Sequence, residues 1–596
     1  MPPLGTRFGA LALVTTLLSL QSLATPIETY DYIIVGAGTS GLLLANRLSE
    51  DASFTVAVID PGADERNNVN VVNPLSWLGL SGTSVNWNYS TVPQDYIGDR
   101  VLSYAAGRGI GGTSLINGMT YIRGDRAQFD AWEDLYPGSG WNWDTMIPYY
   151  KKAERFFPPS PWQEAVGALY EAEYHGSSGG IDVGFNPVLL NGSFYENAKT
   201  TWANLGQSLD KDVNSGYMAG FDVWPQTLNP VNNTRCDAAT AFYWPVQDRP
   251  NLTLINGTVS RILWKPGMSR TPEASGVEYV MPNGQNKTVK VVREVILSAG
   301  ALRTPLILEL SGIGYPKILE ELGIETVVDL PGVGENLIDQ PNTGLSYSTN
   351  NTFFGYAPYA TFVNATSLFG NGDGLRLISD MIKLLIPHWG LQIYKQTRRA
   401  LKAEAAEEIL RVQYDLIFKK DVTIGEILST ASGTGTFSAY WCTLPFSRGS
   451  VHLNSTDDIN TPKINPRFMS LGLDMIVQVA LGRLATTFWN TPPMSASIKT
   501  QPQQGMPSLD DTWNDWTNFT ETTMISNSHP IGTAAMLPRR LGGVVNSQLR
   551  VYGTKNVRVV DASVIPLQIS GHLTATLYAI AERAAAEFII PARYAV

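Results

Sequence analysis

The sequence predicts an α/β protein, α+β overall, organised on a parallel βαβ unit near its start. Three observations predict it. An apolar run, Tyr32 to Val35, passes directly into Gly36, Gly38 and Gly41 at G-x-G-x-x-G spacing. Leu42 to Leu48 then read as a helix, and Thr55 to Ile59 as a second buried strand that ends at Asp60. Far downstream, Val289 to Leu297 is again strand-like and leaves into a glycine turn and a helix over Ser298 to Gly314.

Each part of the first unit has a physical task. The glycines serve a tight turn, a close backbone approach to a pyrophosphate, and close helix–strand packing. The helix start offers free N–H groups and a partial positive charge to phosphates. An acid at the end of the second strand, Asp60, accepts hydrogen bonds from an adenosine ribose. Together they specify a Rossmann-like dinucleotide site.

The chain has 596 residues, long enough for several domains, and 44% hydrophobic against 16% charged content describes a globular protein with a large core. A net charge of −10 disfavours nucleic acid and anionic membrane as partners. Residues 1–24 read as a secretory signal: Arg7, then the apolar stretch Phe8 to Leu20, then the small-x-small site Ser22-Leu23-Ala24. No later apolar run is long enough for a transmembrane helix. Ten N-x-S/T sequons agree with secretion: Asn88, Asn191, Asn232, Asn251, Asn256, Asn286, Asn350, Asn364, Asn454 and Asn518. The two cysteines, Cys236 and Cys442, either pair or stay free. No clustered His/Cys set suggests a metal.

After NWNYSTVP (Asn86 to Pro93) comes a second glycine-rich loop, GRGIGGTSLINGMTYIRGD, from Gly107 to Asp125. Its small residues let backbone approach a flat ligand, and Thr113 and Asn117 offer hydrogen bonds. Residues 126–245 show little periodicity and read as an irregular region over the nucleotide domain. Leu252 to Ile255, Ser260 to Trp264 and Glu278 to Val280 are strand-like, as is Thr326 to Val328 ahead of PGVGENLIDQP. Residues 375–427 look helical, with Lys395 to Arg411 as a solvated charged face. Phe437 to Tyr440 and Gly449 to Leu453 return to strands, and Thr574 to Ile590 closes as a helix. Of five histidines, His452 sits in an alternating strand and reads as structural. His175 and His388 have no motif around them, whereas His529 and His572 lie in SHPIGTAAM and VVDASVIPLQISGHLTATLYAIAERAA.

These pieces, with GAGTSG, GRGIGGTSLINGMTYIRG, SAGALRTPLILELSGIG, GVGENLIDQ and LPFSRGSVHL, make the chain resemble the glucose–methanol–choline family of FAD-dependent oxidoreductases over nearly its whole length. The resemblance implies an FAD-binding domain of discontinuous segments roofed by a substrate domain with an antiparallel sheet. It implies an N-terminal family region over 28–342, a substrate region over 343–444 and a C-terminal family region over 445–590. It sets Thr39 and Ser40 at the pyrophosphate and Asp60 at the ribose. Thr113, Asn117, Gly118, Met119 and Thr120 would run along the ribityl and ring, Val259 at the adenine, and Ala562, Leu573 and Thr574 against the flavin. Some members link FAD covalently through a histidine where this chain has Ile116, so the flavin is expected to be non-covalent. His529 is expected as the base and His572 as its partner. Oxygen or another electron acceptor completes the cycle. Family glucose oxidases place an arginine four residues before the first histidine; Ile525 stands here, which points to an aromatic or otherwise apolar alcohol. NWNYSTVP and the VYGTKNVRVVDAS run also resemble members acting late in fungal polyketide pathways, one of them a non-redox cyclase. A lyase or cyclase on the same FAD scaffold is therefore the alternative reading.

Overall fold

The computed structural model describes residues 28–190, 192–267, 270–499 and 505–591. The expected leader 1–24 and the Asn191 sequon lie outside the described residues. The βαβ start forms as β1 (Thr29–Val35), α1 (Thr39–Leu48) and β2 (Val56–Asp60). Tyr32 to Val35 and Val56 to Ile59 are all buried, as unbroken apolar runs predict for strands covered on both faces.

The stretch 126–245, expected to be irregular, instead holds α2 (Arg126–Leu135), α3 (Trp143–Ala153), α4 (Phe194–Asn204) and the strand β3 (Gly220–Val223). The aromatic residues that obscured the helical period are the core contacts themselves: Trp132, Trp141, Trp143, Tyr150 and Trp202 are buried. At the start of α3, Asn142 and Thr145 close a capping box.

Four further strands, β4 (Leu252–Asn256), β5 (Thr258–Trp264), β6 (Ala274–Val280) and β7 (Asn286–Leu297), extend this sheet, followed by α5 (Thr304–Leu310). The order is β4-β2-β1-β7-β6-β5, parallel from β4 to β7 and antiparallel beyond. The expected strand at Thr326 shrinks to Val328–Asp329.

A second, antiparallel sheet comes from β8 (Pro341–Phe353) and β9 (Tyr359–Asn364), then, past α6 (Asp373–Gln396) and α7 (Ala403–Phe418), from β10 (Thr423–Cys442) and β11 (Ile525–Ser526). Its order is β11-β8-β10-β9-β3. The helical reading of 375–427 thus fails after Phe418. A short apolar run such as Thr423 to Leu428 fits either period, and pairing with β9 decides for strand. The charged stretch 395–411 crosses a turn at Arg398 and Arg399, and in α7 only one side is solvated: Ala405, Ala406, Ile409 and Leu410 are buried. β12 (Val557–Val559) returns to the first sheet beside β7, and α8 (Leu573–Arg583) runs on into a wider turn over Ala584–Ile589.

Cys236 and Cys442 are buried free thiols and do not pair. Asn251 is no acceptor for a glycan: it is buried, and its amide donates to Ser49 O, Asp51 O and Phe54 O at 3.1, 3.1 and 2.8 Å. No helix among the described residues is long and apolar enough to cross a membrane.

Candidate active site

The expected nucleotide cradle is made of backbone. Gly36 has φ +109°, and a Cβ there would lie 2.4 Å from Ser298 O; one at Gly41 would lie 2.0 Å from Gly36 O. At Gly38 a Cβ would meet nothing nearer than 4.0 Å. Packing therefore demands the outer two glycines, while the middle one leaves open space beside the start of α1. Thr39 begins that helix. The Ser40 hydroxyl turns away to Leu577 O (3.5 Å), so Ser40 has only its backbone to offer a phosphate. Asp60 accepts from Ala37 N (2.8 Å) on one oxygen and Gly62 N (2.7 Å) on the other, leaving each oxygen a further lone pair. Beside it, a cavity of about 280 Å³ is lined by Pro61, Arg108, Asn256, Thr258, Met281 and Asn460. Val259 is buried behind Thr258 and pairs with Tyr279.

The second glycine loop lies across this cradle: a Cβ at Gly112 (φ +56°) would sit 2.7 Å from Gly38 Cα. Thr113 Oγ1 accepts from Gly107 N at 3.1 Å. Asn117 donates to Thr574 Oγ1 (3.2 Å), tying the loop to the first turn of α8, and its Oδ1 accepts from Met119 N (3.1 Å) and Arg235 Nη1 (2.7 Å). Gly118 faces Trp77, Met119 adopts φ +63°, and Thr120 bridges Gln226. Ile116 is buried among Val71, Leu80, Val85 and Leu115. Ala562 O accepts from Gly532 N at 3.3 Å, joining two C-terminal segments. No side chain caps α8, so the amides of Leu573 and Thr574 at its start are free to meet an acceptor. Sequence reasoning missed Arg235. Buried in the aperiodic region, it donates to Val71 O, Ser114 O and Asn117 O at 2.8, 3.0 and 2.8 Å, and burial lowers its pKa to about 10.

His529 and His572 meet with ring centroids 5.0 Å apart and planes at 79°. His529 follows a turn in which Ser528 has φ +58°, and its N–H donates to Asp339 Oδ1 at 2.8 Å. Its Nδ1 lies 2.7 Å from Gln340 Oε1. The Gln340 amide nitrogen is already committed to Thr443 O (2.9 Å) and Ile569 O (3.2 Å), so its oxygen must face the ring. The proton of neutral His529 therefore sits on Nδ1 and the lone pair on Nε2. Asn342 donates to Asn527 Oδ1 (2.8 Å), and Asn527 donates to Gln340 Oε1 (3.2 Å), bracing that oxygen. Burial, with His572 nearby, holds the His529 pKa well below the usual imidazole range. Burial holds His572 at about 4. Its Nε2 lies 3.2 Å from Glu426 Oε1, and burial pushes that carboxyl well above its usual range. Sequence reasoning also gave no role to Gln340, though it ends the motif GVGENLIDQ, to Asn527, which directly precedes SHPIGTAAM, or to Glu426, a polar residue in an apolar run.

The wall above the histidines is the antiparallel sheet. Ile525, Asn342 and Trp441 form one cross-strand row on β11, β8 and β10, so they share a face. Trp441 lies 6.0 Å from the His572 ring, and Ile525 is 55% exposed at the end of the row.

Family models of GMC oxidoreductases match residues 30–342 and 445–581. The chain belongs to the GMC oxidoreductase family. Members act on CH–OH groups with FAD, and FAD is the cofactor of this chain. A glucose oxidase-like protein, fsoC, of Humicola fuscoatra is 48% identical over 95% of this chain and 96% of its own. Glucose oxidase 2 of Penicillium expansum is 33% identical over 93% and 91%. Among solved structures, an FAD-dependent oxidoreductase from Chaetomium thermophilum superposes with TM-score 0.85 at 30% identity over 95% and 100% of the two chains. A fungal aryl-alcohol oxidase does so with TM-score 0.82 at 25% identity over 95% and 99%.

The remaining histidines of this GMC protein stand apart from the site. His452 lies between Glu309 (2.6 Å) and Glu335 (3.3 Å); burial alone would lower its pKa, but the carboxylates raise it to about 10. His175, likewise buried between Asp212 (2.9 Å) and Glu154 (3.2 Å), is raised by them. His388 is on the exposed side of α6.

Proposed function

We propose that this protein oxidises an aromatic or otherwise weakly polar alcohol, with His529 as the base that takes the hydroxyl proton and His572 as its partner. The observation that carries the reading is the Gln340 lock, which leaves Nε2 of a neutral His529 as the open lone pair of the site.

The residues fit FAD: an open cradle at Gly38, spare lone pairs on Asp60, and an adjoining cavity of about 280 Å³. Bound FAD supplies the hydride acceptor. Gly36 to Gly41 and the start of α1 would hold its pyrophosphate, Asp60 the ribose, and Asn117 to Thr120 with Leu573 and Thr574 its ring. The positive end of α8 stabilises negative charge that develops there. The buried aliphatic Ile116 offers no nucleophile, so the cofactor is held without a covalent link. Asp339 and Gln340 orient His529. Glu426, 3.2 Å from His572 Nε2, holds that ring in place beside His529.

The substrate reading rests on Ile525. It cannot donate hydrogen bonds from the row that overlooks the histidines, and a sugar would leave its hydroxyls unpartnered there. Relatives named glucose oxidase point the other way, and that makes the comparison decisive. Under anaerobic conditions an aryl-methanol should bleach the flavin much faster than glucose. Efficient reduction by glucose would refute the substrate reading. Conversion of substrate with no bleaching would replace oxidation by the cyclase reading. We also place the protein in the secretory route, with a mature N-terminus near Thr25 and glycans at accessible sequons. An intact, glycan-free Met1 terminus would remove that reading.

A further inference from the structure

α6 is 24 residues long and buries one side only, where Ile382, Ile386, Trp389 and Ile393 face the core. Its other side leaves Leu377, Met381, Leu384 and Leu391 in the open, at 66%, 40%, 81% and 42% exposure. Four large apolar side chains on one helix stripe are unusual for a surface that meets only water.

The stripe is symmetric about Leu384. Equal steps outward pair Met381 with Pro387, Asp380 with His388, Leu377 with Leu391, and Asp373 with Lys395. At about 100° per residue, every member of these pairs points within about 60° of Leu384. An antiparallel two-fold crossing centred on Leu384 therefore sets apolar against apolar, and acid against imidazole or ammonium, at each step. A parallel crossing would set Asp373 and Asp380 against their own copies. The self-complementary order singles out one occupant.

We propose that the exposed face of α6 is a homodimer interface, two copies of this chain crossing antiparallel with Leu384 at the axis. The stripe is short beside a standard interface of roughly 20–30 residues a side, so the dimer is a reversible one that dissociates on dilution.

Sedimentation velocity of the holoenzyme over a roughly hundredfold concentration range tests this. Dimer should accumulate with concentration, and Leu384→Asp should weaken it at least about tenfold while flavin absorbance and circular dichroism stay those of wild type. Asp373→Lys and Lys395→Asp should each weaken it, and the double variant should recover it, because the exchange restores opposite charges across the axis. A wild type that is monomeric throughout would overturn the proposal. So would a dimer indifferent to Leu384→Asp, or a double variant no stronger than the weaker single.

Discussion

Two pairs of histidines in this chain are buried under opposite conditions. His452 and His175 each lie between two carboxylates, which overcome the effect of burial and favour the charged ring. His529 and His572 are as deeply enclosed, but His529 faces an amide oxygen, and the one carboxyl beside His572 is itself pushed toward its neutral form. Burial alone does not set an imidazole's charge; the partner does. The first pair is built to bind the fold together, the second to be empty-handed at neutral pH.

The strongest test of the difference is His529→Ala. Flavin reduction should fall by roughly 10²–10⁴-fold, with FAD content near normal because the glycine loops hold the cofactor. Anaerobic stopped-flow absorbance checks it; reduction at the wild-type rate would end the assignment. His452→Ala should do the reverse, costing about 3 kcal/mol of stability by leaving Glu309 and Glu335 facing each other, with little change in reduction rate below the melting range. Thermal unfolding followed by flavin fluorescence separates the two readouts.

Gln340→Glu would turn the second kind of histidine into the first. A carboxylate at Nδ1 should raise the His529 pKa and move the acid limb of the rate profile to the alkaline side. An unchanged profile would show that Gln340 does not govern the ring.

The smallest effect is the pH dependence of stability. His452 is raised from 6.5 to about 10 in the fold, so its contribution is complete below pH 6.5 and is lost as pH rises through 10. His572 is lowered to about 4, so its contribution is present above pH 6.5 and is lost as pH falls through 4. Melting temperature should decline on both flanks, and His452→Ala should flatten the alkaline one only.

The cofactor cradle was legible because its determinants are local. β1, α1, β2 and the glycines lie within thirty-two residues, from Thr29 to Asp60, and each obeys a period or a spacing. The histidine pair was legible through the motifs around it. The roles of Gln340, Asn527, Glu426 and Arg235 were not, because each depends on contacts made across the fold: Glu426 and His572 are 146 residues apart in the chain. The same holds for β10, whose identity is fixed by pairing with β8 and β9 rather than by its own composition. The helices of 126–245 were hidden by aromatic residues that are apolar in bulk yet break the simple polar–apolar alternation.

The lock on Nδ1 also governs timing. An amide oxygen can receive a hydrogen bond but cannot pass a proton onward, so Gln340 closes the rear of the ring as an exit. In the proposed role of base, His529 is then a dead end with one door: a proton taken at Nε2 would have to leave by the side from which it came. While product occupies that side, the proton is stored. Its release to solvent is therefore ordered after product departure, and a pH-indicator dye should report it lagging behind flavin bleaching by the lifetime of the product complex.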